Sequence, residues 1–374
     1  MQIVLFYQYR KRLGRPRSAL SGIGLEDFSM RFSIKAIPVQ EAVGSVLCQD
    51  ITQIIPGKSK GPVFRKGHVV TAEDIPVLLS VGKEHLYAYE PTPGMVHEND
   101  AAYRIVKATG GSNLTYTEPK EGRINYIAAC EGLLSIDVNL LTKVNSVGEM
   151  TLATLHNNER VHKGQAVAGT RVTPLVIDDA KLKEMESVVT GPVVSVIPFA
   201  SPKIGIVTTG SEVYTGRIKD AFGPVLRAKF DDLGCPVEGQ TITNDDPDMT
   251  SAAIRAFVDR GCGMICVTGG MSVDPDDQTP TAIRNAGARI VAYGAPVYPG
   301  AMFLLSYIKT PQGEVPVLGL PGCVMYNNAS IFDLIVPRLL AGQHLEAADI
   351  SVLGHGGFCR GCKTCHYPNC GFGK

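Results

Sequence analysis

From Ile204 onward the chain repeats one unit: a short apolar run, a glycine-rich turn, then an amphipathic helix. Apolar runs of strand length alternating with helical patterns bury both faces best in a mostly parallel sheet with helices on either side. The strands expected from this pattern are 204–207, 264–267, 289–293 and 315–318. Between them, 222–233 reads as a helix stopped by Gly234. Residues 248–259 read as another, opened by Asp246 as cap with Pro247 at its first position and closed by Gly261. A third starts at Thr279-Pro280 and ends at Gly287.

Three of these strands run into loops of one kind: Thr208-Thr209-Gly210-Ser211-Glu212, Thr268-Gly269-Gly270-Met271-Ser272 and Gly319-Leu320-Pro321-Gly322. In a parallel sheet the carboxyl ends share one edge, and ligands bind there. Glycines let backbone approach a ligand, hydroxyls donate hydrogen bonds and helix N-termini offer N–H groups, so phosphate is the natural guest. Each loop alone also serves simple chain reversal. The second loop is followed by Asp274, Asp276 and Asp277, three carboxylates that would repel a phosphate unless a cation intervened. Mg²⁺ bridging carboxylate and phosphate resolves that conflict. The other reading of the cluster is a solvated turn, with Asp277 supporting a helix start. Asp245, just ahead of the cap, is a further candidate, with a second capping carboxylate as its other reading.

A chain of 374 residues exceeds what one core usually organises, so several domains are expected. Residues 1–29 read as a basic extension without a fold, 30–92 as a small α+β domain and 93–198 as a β-rich domain. Residues 199–344 form the α/β unit, and 345–374 a Cys-rich tail. In the first domain, 39–47 and 72–80 read as helices, the latter capped by Thr71, with strands at 68–70 and 85–89. A helix is expected at 100–109, and hairpins of a barrel or sandwich between 124 and 177. Lys and Arg equal Asp and Glu at 36 each, which removes the positive field that nucleic acid or an anionic membrane would require. No apolar run reaches membrane-spanning length, and a cytoplasmic protein with a small ligand or protein partner is expected.

The tail spaces Cys359, Cys362, Cys365 and Cys370 as C-x2-C-x2-C-x4-C, with His366 beside the third. Four soft ligands in so short a span suit Zn²⁺ or an iron–sulfur cluster. A redox-sensitive tail is the alternative. The remaining cysteines, Cys48, Cys130, Cys235, Cys262, Cys266 and Cys323, read as buried thiols.

The succession TTGSE (208–212), NDD (244–246), TGGMSVDPDDQTP (268–280), Pro299-Gly300 after a strand and GLPG (319–322) resembles the molybdopterin-binding domain shared by the Mog and MoeA families. The resemblance implies a pterin and its phosphate held by Thr209, Gly210, Ser211, Glu212, Thr268, Gly269, Gly270, Met271, Ser272, Pro299, Gly300, Pro321 and Gly322. It implies essential aspartates at Asp245 and Asp277; the Mg²⁺ inferred from the acidic cluster is then expected on Asp245, Asp274 and Asp277. Molybdopterin or its adenylated form would be the ligand and molybdenum cofactor biosynthesis the setting, with molybdenum insertion as the implied reaction if the protein is an enzyme. Molybdoenzymes or other biosynthetic proteins would be partners, and self-association is implied as well. The first domain lacks the NSAMDGYA-like segment of MoeA-type insertases and reads KGPVFRKGHVV at 60–70, so binding carries over more firmly than catalysis. Two other readings stay open. One is a non-catalytic carrier or sensor of the cofactor; the other is a nucleotide pyrophosphatase, since DDxTP at 276–280 also resembles the CinA N-terminal domain.

Overall fold

The computed structural model describes residues 34–374 except 56–58, 90–92, 273, 275 and 276. The expected extension at 1–29 and Asp276 therefore lie outside the described residues. The chain divides into two compact units, one running to His97 and including Leu175–Asp179, the other comprising Glu98–Pro174 and Ala180–Lys374.

The first unit pairs Ile34–Pro38 with His85–Tyr89 and Ile51–Ile55 with Ser59–Phe64, both antiparallel. Its core gathers Val39, Leu47, Ile51, Val70, Leu78 and Leu86. Here the structure corrects several expectations. The helix expected at 39–47 is a single 3-10 turn, Val39–Glu41, because Gly44 takes a left-handed φ of 85° that no helix continues. The second helix spans Asp74–Ser80; Thr71 does not cap it through its hydroxyl. Instead the Thr71 N–H donates to the Asp74 carboxylate at 2.8 Å. The segment 68–70 contributes one isolated bridge, Val46 with Val69, rather than a strand.

In the second unit, Glu98–Thr109 is helical. A four-stranded sheet orders Leu114–Tyr116, Arg123–Ala128, Ala166–Val172 and Met150–Thr154, and a three-stranded one orders Arg160–Val161, Gly132–Ile136 and Val194–Pro198. A helix at Val138–Ser146, capped by the Asp137 side chain, interrupts what read as continuous β-structure.

The α/β part has six strands: β1 (Ile204–Thr209), β2 (Val237–Thr243), β3 (Met264–Thr268), β4 (Arg289–Tyr293), β5 (Leu304–Thr310) and β6 (Gly313–Leu320), in the order β2-β1-β3-β6-β5-β4. The first four positions are parallel, and β5 alone runs against its neighbours. The longer helices are α1 (Phe222–Asp232), α2 (Pro247–Asp259), α3 (Thr279–Asn285) and α4 (Ile331–Leu340). Successive strand residues point to opposite faces, and both faces are covered. Ile204, Ile206, Met264 and Cys266 pack with Leu226 and Phe230 of α1 and Phe332 and Ile335 of α4. Val207, Ile265 and Val267 pack with Ile254 and Phe257 of α2 and Ile283 of α3. This is the α/β class expected, a mostly parallel sheet between helices.

Of the scattered cysteines, Cys235, Cys262 and Cys266 are buried, while Cys48, Cys130 and Cys323 are only partly so. Burial pushes the Cys235 thiol up to about 11, which leaves it protonated and unreactive at neutral pH.

The cap expected at α2 is present: the Asp246 carboxylate accepts from the Asp248 N–H at 2.9 Å, with Pro247 opening the helix. Asp246→Ala should cost about 1 kcal/mol, read as a lower urea midpoint with an unchanged slope.

Candidate functional site

The parallel order brings the carboxyl ends of β1, β3 and β6 to one edge, and strand order reverses between β1 and β3. Against this edge lies a cavity of about 490 Å³. Its wall holds Gly269, Gly270, Met271 and Ser272 after β3, then Asp277. Pro299 and Gly300 follow from the loop before β5, and Pro321 and Gly322 after β6. These residues come from positions far apart in sequence, so their convergence is a property of the fold.

Thr209, Gly210, Ser211, Glu212, Thr268, Asp245 and Asp274 stand outside that wall. The β1 loop serves as its backing. Thr209 Oγ1 lies 3.3 Å from Thr279 Oγ1, and that hydroxyl donates to the Gly269 carbonyl at 2.8 Å. Asp245 accepts from the Ser211 N–H at 2.9 Å and so ties the loop after β1 to the loop after β2. Thr268 is fully buried beneath the loop, with its hydroxyl 3.3 Å from Thr208.

Asp277 accepts from the Ser272 N–H at 2.7 Å, which folds the β3 loop back on itself within the cavity wall. Tyr293 donates to the Met271 carbonyl at 3.3 Å. Partial burial, helped by the Asp277 charge, holds its phenol above the usual range, so it remains a donor at neutral pH.

Gly269 has a φ of 87°, and a Cβ placed there would stand 2.2 Å from the Thr209 carbonyl oxygen. Glycine is required at this position by backbone conformation and by contact alike. Gly300, with φ 142°, would put a Cβ 2.4 Å from Cβ of Ile331 on α4.

Several wall residues were not apparent from sequence: Phe222, Tyr298, Ala301, Met302 and Cys323. Phe222 opens α1, yet its N–H and that of Gly223 are taken by the Asp220 carboxylate at 2.9 and 3.1 Å. That helix start is therefore not an open anion site, contrary to the general expectation for helix N-termini at this edge. Among the described residues no Lys or Arg lines the cavity. Among the described residues no three His, Cys, Asp or Glu side chains stand together as a ready metal-ligand set, the tail thiols included. Among the same residues no helix is long and apolar enough to cross a membrane.

Residues 205–341 match a family model described as "Probable molybdopterin binding domain", and residues 36–90 match one described as a domain of unknown function. The chain is 26% identical over 181 residues to a molybdopterin molybdenumtransferase of Synechococcus elongatus, covering 46% of this chain and 42% of that protein. It is 37% identical over 92 residues to a CinA-like protein of Mycobacterium avium, covering 24% of this chain and 21% of that one. The chain thus spans less than half the length of either relative. Among solved structures it is similar to the tungsten cofactor synthesizing protein MoaB of Pyrococcus furiosus at 18% identity, with a TM-score of 0.29 over 37% of this chain and 91% of that one.

Proposed function

We propose that residues 205–341, a domain of the molybdopterin-binding family, bind a phosphorylated pterin in the cavity at the β3 and β6 strand ends, in the service of molybdenum cofactor biosynthesis. The observation that carries this reading is the composition of the wall. Phe222, Tyr298, Met302, Pro299 and Pro321 offer apolar surface of the kind a bicyclic heteroaromatic ring packs on. The glycines at 269, 270, 300 and 322 bring backbone close to the ligand.

The phosphate needs a positive partner, and among the described residues no basic side chain lines the cavity while one carboxylate does. A divalent cation held by Asp277 would supply it by offsetting the phosphate charge. Mg²⁺ requires only one or two protein carboxylates and completes its shell with water and phosphate, so the site fits it without a preformed ligand set. Asp277 would hold the ion and the Ser272 loop together. Asp245 would act through Ser211, keeping the β1 loop under Gly269. Asp274 would contribute only from outside the wall. Adenylated molybdopterin as the form bound, and molybdenum insertion as the reaction, extend the same reading.

A nucleotide diphosphate is the second reading, favoured by the shorter but higher identity to CinA-like proteins. The two separate in one preparation. Full-length protein is incubated without oxygen with pterin released by heat from a molybdoenzyme, then desalted, oxidised and read by pterin fluorescence. A parallel sample is given ADP-ribose and Mg²⁺. Near-stoichiometric pterin with intact ADP-ribose is the expected result. Hydrolysis of ADP-ribose without pterin retention would establish the second reading, and neither outcome would sink both.

A further inference from the structure

The segment after Gly354 is built unlike the rest of the unit. It has no helix or ladder, only an isolated bridge between Tyr298 and Phe358. Its ends are nonetheless held firmly. The Cys359 N–H donates to the Tyr298 carbonyl at 2.8 Å, and the Gly373 N–H to the Gly356 carbonyl at 2.9 Å. Tyr367 donates to the Asp333 carbonyl at 3.1 Å. Phe372 is buried in the core below α4, and Lys374 pairs at 2.7 Å with Glu159, whose side chain is 5% exposed. Between Phe358 and Gly371 no residue is fully buried. A stretch that buries so little gains little from the hydrophobic effect, and natural segments of this kind are stapled by cross-links or metals.

What the segment encloses is a cavity of about 400 Å³ with Cys359, Cys362, Cys365, Cys370 and His366 all in its wall, facing the loop at Tyr326. All four cysteines are free thiols, Cys362 and Cys365 exposed and the other two partly buried. We propose that this cavity is the site of one tetrahedral soft divalent cation of the Zn²⁺ class, held by the four thiolates. The donors line one cavity without yet converging, so binding draws the exposed Cys362 and Cys365 inward onto the anchored Cys359 and Cys370. Each thiol gives up its proton to solvent as its sulfur–metal bond forms, with no change of oxidation state. Four thiolates on a dication leave a net charge of −2, which the neighbouring Arg360 and Lys363 offset. His366, on the same wall, is placed to donate a hydrogen bond to a thiolate or to replace one. Tyr298 joins this cavity's frame to the strand-edge cavity, since it pairs with Phe358 and lines the latter. The proposal does not rest on the pterin reading.

The test uses reduced, metal-free, full-length protein titrated with Zn²⁺ against a chromophoric chelator, and with Cd²⁺ for the ultraviolet thiolate charge-transfer band. One equivalent should bind, with proton release seen as buffer-dependent heat in calorimetry. Cys362→Ser/Cys365→Ser should weaken it on the order of 100-fold or more, whereas Cys130→Ser should leave it unchanged. Because Cys362 and Cys365 are exposed, the double variant should keep the metal-free circular dichroism and urea midpoint of the parent. Absence of binding, binding unaltered in the double variant, or stoichiometric iron and sulfide in the anaerobically purified protein would each overturn the proposal.

Discussion

Gly269→Val is expected to remove pterin binding, lowering affinity roughly 100-fold or more, the equivalent of about 2.7 kcal/mol. The cause lies in backbone rather than side chain. At φ 87° a β-branched residue costs about 1–3 kcal/mol of strain, and its Cβ would meet the Thr209 carbonyl oxygen at 2.2 Å. A backbone oxygen of the last residue paired in a parallel ladder has little room to move, so the β3 loop must lift. Lifting it breaks the bond from Thr279 to the Gly269 carbonyl and displaces Gly270, Met271 and Ser272, which form one side of the cavity. The urea midpoint should fall along with pterin retention. Gly287→Ala serves as the control: Gly287 shares a φ of 87°, but nothing lies within 4 Å of its Cβ position. It should lose stability and keep binding. Equal loss of binding in both variants would mean that the loop matters only to folding.

The strand and helix pattern of the α/β part was legible because local and tertiary signals agree there. Asp246-Pro247 states a helix start in two residues, and the fully buried runs of β1 and β3 are apolar up to the threonines at their carboxyl ends. Two strands were not legible. β2, with the sequence VEGQTIT, is an edge strand whose residues are mostly half-buried, so its polar composition reads as a loop. β5 pairs with β6 through a turn at Pro311-Gln312, and its apolar run carries no turn or cap signal of its own between two better-marked strands. The middle region misled in the other direction. Frequent Gly and Asn turns suggested β-structure throughout, and the helix Val138–Ser146 depends on a single Asp137 cap and on packing of Leu140 and Val144.

The wall of the candidate site was legible in its glycine loops and Asp277 and illegible at Phe222, Tyr298, Ala301, Met302 and Cys323. Phe222 and Tyr298 carry no local mark of ligand contact; they qualify only because helix α1 and the loop before β5 meet at one edge. Equally, Asp245 and Asp277 look alike in sequence, each an aspartate beside a helix start. Space separates them, since one braces Ser211 outside the wall and the other braces Ser272 within it.

That separation predicts unequal effects for two substitutions at Asp277. The carboxylate has two tasks in the proposed site: accepting from the Ser272 N–H at 2.7 Å and holding the cation on the ligand phosphate. Asp277→Asn keeps an acceptor oxygen for Ser272 but removes the charge. Its fold and urea midpoint should match the parent, while the Mg²⁺-dependent part of pterin affinity should fall about 10- to 100-fold, as when a metal site loses a supporting group. Asp277→Ala loses both tasks and should add about 1 kcal/mol of local destabilisation from the broken hydrogen bond. Its binding should fall further, and raising Mg²⁺ should not restore it. Asp245→Asn, which keeps its bond to Ser211 and stands outside the wall, should leave the Mg²⁺ dependence intact. Calorimetry with and without Mg²⁺ on the three variants reads all of this. Should Asp277→Asn bind with unchanged Mg²⁺ dependence, Asp277 would be a brace for the loop alone. The phosphate would then have to find its positive partner in backbone N–H groups, since no basic side chain among the described residues lines the cavity.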